Sequence, residues 1–532
     1  MIIYEKTLKT NTLMKNVKTK FVFYLPMIIL SFVIMLFYAR SSPFFFTNNW
    51  VDANAYMTVG KGIVYGLIPY RDLFEHKGPI LYFIHSIAYV LYPNSFFVIY
   101  IFESIAMALN MIFFYKIAKL FINKHFAYLL SFFLPTLILR HFYFRQGDSA
   151  EEFVIPCLMF LIYSILSCPK NNELSFSNRT LFLHGLILAC IFWIKYTLTG
   201  AWLGFFMFYG IYLIWKRQFA KLGRSVLIGL SGFIAVSLPV LVYFLVKNGL
   251  RDLYDVYFVF NMTSYATEYT IWVKILKVFM FFLRPVSYAQ YALSFLILAG
   301  TALIIFLNGK KGYIISLLYI VSLLFTGFFQ YFGGRYGYYY ILIIVPFAAI
   351  GLIGLAWLLE KLVVFKGEKY LRIIYPLAAL SAIIMPFFHN DSILYSRFFP
   401  DNSEQIVKSP MNSNQNSTIS AQREFAKIIN KVPNATLLNY GFIDFGFYLA
   451  ADIIPNVRFF QKVNVDNDRN PGNKDAQKSY IKEKKVDFVV LDDRIDSADI
   501  SFIEEYYQLV ATHVQTWEGG VRKYFLCQKK EE

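Results

Sequence analysis

VLIGLSGFIAVSLPVLVYFLV, residues 226–246, runs for twenty-one positions without a charged side chain. As an α-helix it is about 30 Å long, the thickness of a bilayer's hydrocarbon core. Lys216, Arg217, Lys221 and Arg224 crowd its leading edge, and Lys247 follows it. Basic residues mark the cytoplasmic ends of membrane helices, so this run starts inside and leads outward. Phe21–Ala39 and Tyr338–Leu358 are runs of the same kind, whereas His125–Leu139 is short and needs its flanks to complete a span. Backbone polar groups in lipid must be satisfied within each helix, so repeated runs predict a polytopic α-helical membrane protein.

Composition agrees. Of 532 residues, 57% are hydrophobic and 20% aromatic, with a mean hydropathy of +0.49, more apolar than one water-soluble core requires. The net charge of +17 is unevenly placed. Residues 1–388 carry 33 Lys/Arg against 14 Asp/Glu, while residues 389–532 carry 18 against 20. The excess belongs to loops between spans, where it sets orientation, and argues against a nucleic-acid partner. Cys157, Cys168, Cys190 and Cys527 make neither a disulfide framework nor a metal-ligand spacing. Lys6, Lys9, Lys15, Lys18 and Lys20 precede the first apolar run, and Arg40-Ser-Ser-Pro is a poor signal-peptide cleavage site, so that run is read as a retained span.

The basic loops trace about eleven spans, with the N-terminus cytoplasmic and the C-terminal part extracytoplasmic. Residues 40–94 form a long first outer loop, and residues 248–285 form another, in which IWVKILKVFMFF reads as an interfacial helix. Three regions result: a membrane domain over 1–388, a polar linker over 389–416, and a small α/β domain over 417–532. In the last, AQREFAKIINKV reads as an amphipathic helix and Ser501–Ala511 as helical, with ATLLNY, VDFVVLDD and VRKYFLCQ as strands. Asp444, in NYGFIDFGFYL, is better read as a turn or packing residue than as catalytic.

Acids are so scarce in 1–388 that their positions carry information. Asp52 lies in TNNWVDANAYMTVG, just beyond the first span, and PYRDLFEHKGPILYF adds Asp72, Glu75, His76 and Lys77 ahead of a Gly-Pro bend. The hairpin RHFYFRQGDSAEEF supplies Arg140, Arg145, Asp148, Glu151 and Glu152. A carboxylate at the membrane surface can take a proton from a hydroxyl nucleophile, and Lys or Arg can stabilise a departing phosphate. A substrate hung on a long lipid presents its phosphate at this depth. Trp50, Tyr56, Tyr70 and Phe74 offer apolar surface there. Glu103, early in the second span, is costly unless it faces a cavity or a partner. Arg335 follows two glycines in QYFGGRYGYYY at the outer mouth of a late span, and Lys195, in FWIKYTLTG, reads as a snorkelling side chain. Interfacial anchoring and helix-terminus charge are the bland alternatives for these groups.

WVDANAYMTVGKGIVYGLIPYRDLFEHKGPILYF, RQGDSAEEFVIP and GGRYGYYYILIIVP resemble the GT-C membrane glycosyltransferases. The likeness is greatest to the bacterial branch related to protein O-mannosyltransferases and lipid A aminoarabinose transferases. The resemblance implies a polyprenyl-phosphate sugar donor and transfer on the extracytoplasmic face. It implies that Asp52 is the catalytic base, that Glu151 or Glu152 is the acid of the second outer loop, and that Lys77 and Arg335 bind the donor phosphate. Trp50, Tyr56, Tyr70, Glu103, Arg145 and Asp148 are further candidates for the substrate cavity. The family's Lys-Pro-Pro segment is Lys77-Gly78-Pro79 here, and the histidine that often follows the late basic residue is missing from Tyr336-Gly337-Tyr338-Tyr339.

An inverting transfer to an envelope glycan, lipid or protein hydroxyl follows as the implied activity, with the bilayer itself a partner. A divalent cation is possible, though no metal motif is visible. A flippase or transporter of lipid-linked saccharides is the rival; it needs essential polar residues through the midplane rather than gathered at one face.

Overall fold

The computed structural model describes residues 21–45, 48, 50–169, 173–287, 291–362, 380, 384, 420–465, 469–517 and 520–531. Seven helical segments are long and apolar enough to cross a membrane: Phe21–Tyr38, Phe97–Ala118, Asn178–Trp215, Phe219–Val246, Tyr291–Lys311, Tyr313–Tyr331 and Tyr338–Lys361. The protein is thus a multi-pass membrane protein. The α-helices of four or more residues described up to residue 362 are α1 (Phe21–Tyr38), α2 (Val51–Val64), α3 (Pro79–Leu91), α4 (Phe97–Ala118), α5 (Lys124–Ser131), α6 (Leu134–Ile138), α7 (His141–Phe144), α8 (Ala150–Leu166), α9 (Asn178–Lys195), α10 (Gly200–Trp215), α11 (Phe219–Val246), α12 (Ile271–Ser287), α13 (Tyr291–Asn308), α14 (Tyr313–Tyr331) and α15 (Val345–Leu362).

The stretch 226–246 shows how lipid and protein divide a helix. On α11, Leu227, Leu230, Ile234, Leu238, Leu241 and Leu245 recur at helical spacing and are all exposed, a stripe suited to acyl chains. Gly229 and Gly232 are buried on the opposite face, where small residues allow close approach, and Ser237 is buried at the stripe's edge against α9. There the Trp193 indole of α9 donates to Ser237 Oγ at 2.9 Å.

The described residues do not establish the expected count of eleven spans. The segment ending at Leu139 is broken into α5 and α6, with Pro135 in the first turn of α6, and α8 has 17 residues. Asn178–Trp215 is too long for one crossing. It divides where the backbone of Lys195 becomes extended (φ −163°, ψ 105°), separating α9 from α10 by a 3-10 turn over Tyr196–Thr199. An eleventh span ending near Phe388, the N-terminal lysines and the linker over 389–416 lie outside the described residues. The apolar segment after Pro79 forms the 13-residue α3, short for a span. The second long loop holds a π-helix, Leu253–Tyr265, followed by α12.

The C-terminal part is a small α/β unit. Its elements are α16 (Ala421–Ile429), β1 (Leu437–Asn439), α17 (Phe447–Ala450), α18 (Pro471–Lys482), β2 (Phe488–Asp492), α19 (Ser497–Tyr506), β3 (Tyr507–Trp517) and β4 (Gly520–Lys529). The sheet order is β1-β2-β4-β3, with β1 parallel to β2 and the other pairs antiparallel. Leu437 sits opposite Phe488, and Val490 opposite Leu526. All five residues of β2 are buried, as a central strand covered on both faces requires. The expected helix over Ser501–Ala511 is corrected at its end. From Tyr507 onward the chain is β3, because it finds a full antiparallel partner in β4.

This unit docks on α2 and the loop after it. Thr58 donates to Asp444 Oδ2 at 3.2 Å, Lys61 pairs with Asp452 at 2.5 Å, and Arg458 Nε donates to the Tyr70 carbonyl at 3.0 Å. The Phe74 amide in turn donates to the Arg458 carbonyl at 2.8 Å. Asp444 is a docking and turn residue: its Oδ1 also accepts the Gly446 and Phe447 amides and the Asn439 side chain.

Candidate active site

Asp52 stands in the first turn of α2, where a carboxylate complements the helix dipole. Tyr56, one turn on, donates its hydroxyl to Asp52 Oδ2 at 3.3 Å, and Lys77 Nζ lies 3.6 Å from the same oxygen. The ammonium also sits 5.7 Å from the centre of the Tyr56 ring. Burial alone favours a neutral lysine, but Asp52, Tyr56 and Glu75 outweigh it and hold Lys77 well above the ordinary lysine value. A buried, permanently charged ammonium therefore faces Asp52.

The loop around Lys77 is held from several sides. Tyr70, at φ 73°, donates its hydroxyl to the Lys77 carbonyl at 2.7 Å. Glu75 accepts the Lys77 amide at 2.9 Å and the Tyr82 hydroxyl. Asn261, from the π-helix, donates to the His76 carbonyl at 2.7 Å and meets the His76 ring at 3.0 Å. Burial brings His76 down to about 4, so it is neutral at ordinary pH. Gly78 explains the missing proline. Its amide donates to the Ile194 carbonyl at 3.0 Å, which proline cannot do, and a Cβ there would meet the Trp193 carbonyl oxygen at 2.1 Å.

Glu151 and Glu152 open α8, capped by Ser149, whose side chain accepts the Glu152 amide at 3.2 Å. Adjacent on the helix, they join different groups. Glu151 Oε1 pairs with Lys195 Nζ at 2.6 Å and accepts from Gln330 at 3.4 Å. Lys195 rests 3.8 Å from the centre of the Tyr340 ring, so this lysine turns inward and does not snorkel. Glu152 Oε2 instead accepts the Asp148 amide at 2.8 Å, as does Glu103 Oε1 at 2.7 Å. Glu103 also accepts from Ser41, and Asp148 Oδ2 meets His85 Nε2 at 3.0 Å. Glu103, Asp148 and Glu152 thus form a buried cluster that shapes the hairpin before α8.

Arg335 follows Gly334, whose φ of +79° and proximity to Thr267 (a Cβ would lie 1.9 Å from Oγ1) suit only glycine. The guanidinium packs 4.2 Å from the Tyr265 ring centre and donates to the carbonyls of Tyr265 and Asn464. Two cavities meet at this residue. One, of about 80 Å³, is lined by Lys77, Lys195, Arg335, His76, Asn261, Gln330 and a wall of tyrosines that includes Tyr265 and Tyr340. The other, of about 410 Å³, lies between the membrane helices and the C-terminal unit, lined by Val51, Arg335, Lys462, Arg494, the segments 441–443 and 463–465, and Phe445. Val51 and Lys77, the chain neighbour and the ion-pair partner of Asp52, thus border one cavity each.

Of the remaining sequence candidates, Trp50, Tyr56, Tyr70, Glu103, Arg145 and Asp148 line neither cavity. Tyr56 and Tyr70 hold Asp52 and Lys77. Trp50 packs edge-on against Tyr339 at 5.7 Å, and its buried indole N–H has no partner among the described residues. Arg145 lies 5.1 Å from the Tyr338 ring centre. Sequence reasoning missed Lys195 as a site residue, along with Gln330, Tyr265 and Lys462. The signal for Lys195 was there, a lone cation amid FWIKYTLTG. Among the described residues no three His, Cys, Asp or Glu side chains gather as a metal's ligand set. Asp52 and Glu151 each face a lysine instead, an arrangement that does not fit a cation.

Residues 76–243 match the family of dolichyl-phosphate-mannose-protein mannosyltransferases. The fold is similar to that of ArnT from Cupriavidus metallidurans. The crystal structure bound to undecaprenyl phosphate aligns at 10% identity over 95% of this chain and 97% of that one, with a TM-score of 0.55. The apo structure aligns at 11% identity over 96% and 98%, with a TM-score of 0.56. No curated protein matches the chain. The chain is thus similar to the mannosyltransferase family over residues 76–243 and has an ArnT-like membrane fold with a small C-terminal domain, in keeping with the GT-C resemblance of its sequence motifs.

Proposed function

We propose that the protein transfers a sugar from a polyprenyl-phosphate donor to a hydroxyl of an envelope glycan, lipid or protein, with inversion at the anomeric carbon. One observation carries this reading: Lys77, Lys195 and Arg335 converge on a single cavity, while Asp52 pairs with one of them beside a second, larger cavity. Three cations in a partly desolvated site suit the donor's phosphodiester and the second charge it gains on leaving as a monoester. The undecaprenyl phosphate held by the ArnT structure supports a lipid phosphate as that anion.

In this reading the acceptor approaches from the Val51 side. Asp52 takes the hydroxyl proton, and the oxygen attacks the anomeric carbon. The bond from that carbon to the phosphate oxygen breaks, and its electron pair leaves with the phosphate toward Lys77 and Arg335. Glu151 fixes Lys195 and is the acid of the second loop that borders the donor. Glu152 belongs to the group that supports the hairpin. The Asp52 side lies on the extracytoplasmic face, with the N-terminus cytoplasmic.

Purified protein given a panel of polyprenyl-phosphate sugars and envelope acceptors should yield a glycosylated product by mass spectrometry, together with free polyprenyl phosphate. Turnover of a nucleotide sugar alongside failure of every lipid donor would reject the donor class.

A further inference from the structure

Arg335, Lys462 and Arg494 line the 410 Å³ cavity between the C-terminal unit and the start of α2, and no acid is among its lining residues. The three cations come from distant parts of the chain, one from the membrane domain and two from the C-terminal domain. Lys462 has no ion pair among the described residues. Its backbone amide donates to the Phe442 carbonyl at 3.0 Å, which fixes the segment while leaving the ammonium uncommitted. Arg494 gives one edge to Asp492, with Nε 2.7 Å from Oδ2, and stays half exposed. A smaller cavity of about 100 Å³ shares Gly441, Lys462 and Arg494 with the first, and there Asp496 and Asp499 pair with Lys474 and Lys478, so the groove has its excess of cations at the Val51 end.

Between Val51 and Arg494 the groove is walled by cations and open to water, and so concentrates anions. At about 410 Å³ this part is too large for the donor phosphate alone, which the Lys77 cavity already suits, and it ends one residue from Asp52. We infer that this groove is an acceptor subsite, and that the acceptor is an anionic glycan carrying phosphate along its chain. Lys462 and Arg494 would hold the acceptor's charges while a neighbouring hydroxyl reaches Asp52. The inference rests on the transferase reading for the direction of transfer, but the binding it predicts can be measured without turnover.

The test uses the full-length protein in nanodiscs and a fluorescent glycerol-phosphate hexamer as probe, with maltohexaose as the neutral competitor. Binding should be saturable, should weaken as salt is raised, and should resist maltohexaose. Lys462→Gln should weaken it by about tenfold, the scale of one charge-assisted hydrogen bond, and Lys462→Glu by more. The side chain is only half-buried, so both variants should keep the wild-type melting curve. Unchanged affinity in Lys462→Glu, or equal competition by the neutral oligomer, would overturn the inference. Because the readout is binding, failure of every donor in the transfer assay would sink the transferase reading alone. Turnover without charge-dependent probe binding would sink the subsite alone.

Discussion

Glu151 is almost fully buried, and its carboxylate meets Lys195 at 2.6 Å, so each charge depends on the other. Removing one partner of such a pair leaves an uncompensated charge, at a cost of about 3–5 kcal/mol. Lys195→Met should therefore lower stability in detergent markedly, and the double variant Glu151→Gln with Lys195→Met should regain more than half the loss. Equal destabilisation in the single and double variants, read by denaturant unfolding, would mean that the pairing is energetically idle. Scarcity made the acids legible in the sequence: Asp52, Glu103, Asp148, Glu151 and Glu152 stand out in an apolar chain. Their partners were not legible. Neighbouring positions on one helix sent Glu151 toward Lys195 and Glu152 toward Asp148, a division set by packing that adjacency cannot reveal. Lys195 itself looked like an anchor because only the tertiary fold turns it inward.

The turn between α2 and α3 depends on Gly78. Alanine at that position would thrust a methyl group against the Trp193 carbonyl, and proline would also lose the amide's bond to Ile194. Gly78→Ala should reduce the yield of folded protein, and any that folds should show weakened donor binding because Lys77 has moved. Normal yield and donor affinity would show that the turn can absorb the clash. Docking of α17 on α2 offers a pH test. Burial raises the Asp444 carboxyl to about 6, despite the four donors around it. Its unfolded value is about 4, so folding favours the protonated form. Its contribution to stability is full below pH 4 and is lost as pH rises through 6. Asp444→Asn keeps an oxygen for the three Oδ1 donors and removes the charge. It should flatten the stability profile between pH 4 and 6; a profile identical to wild type would remove Asp444 as its source. The apolar runs over 21–39 and 226–246 were readable as helices, although α11 starts earlier, at Phe219. The π-helix and β3 were not, since both depend on partners elsewhere: His76 for Asn261, and β4 for Tyr507 onward.

At the scale of the whole molecule, the C-terminal unit and the Asp52 loop share one side of the bundle, joined through Thr58, Lys61 and Arg458. The sequence separates an apolar basic portion from a near-neutral tail, and so conveys the division of labour. It could not say that the tail packs over Asp52 and forms one wall of the larger cavity. Charge asymmetry reports topology relative to a membrane, whereas docking depends on side-chain partners nearly 400 residues apart. In the proposed reading, the two cavities joined at Arg335 are a donor side and an acceptor side, with Asp52 between them. A single-turnover assay of purified wild type and Asp52→Asn in nanodiscs, loaded with the polyprenyl-phosphate sugar that the donor panel selects, tests this arrangement most directly. The variant should stay folded and bind the donor, yet release polyprenyl phosphate and form product at least about a hundredfold more slowly, the scale of lost general-base catalysis. Transfer at the wild-type rate by Asp52→Asn would contradict it.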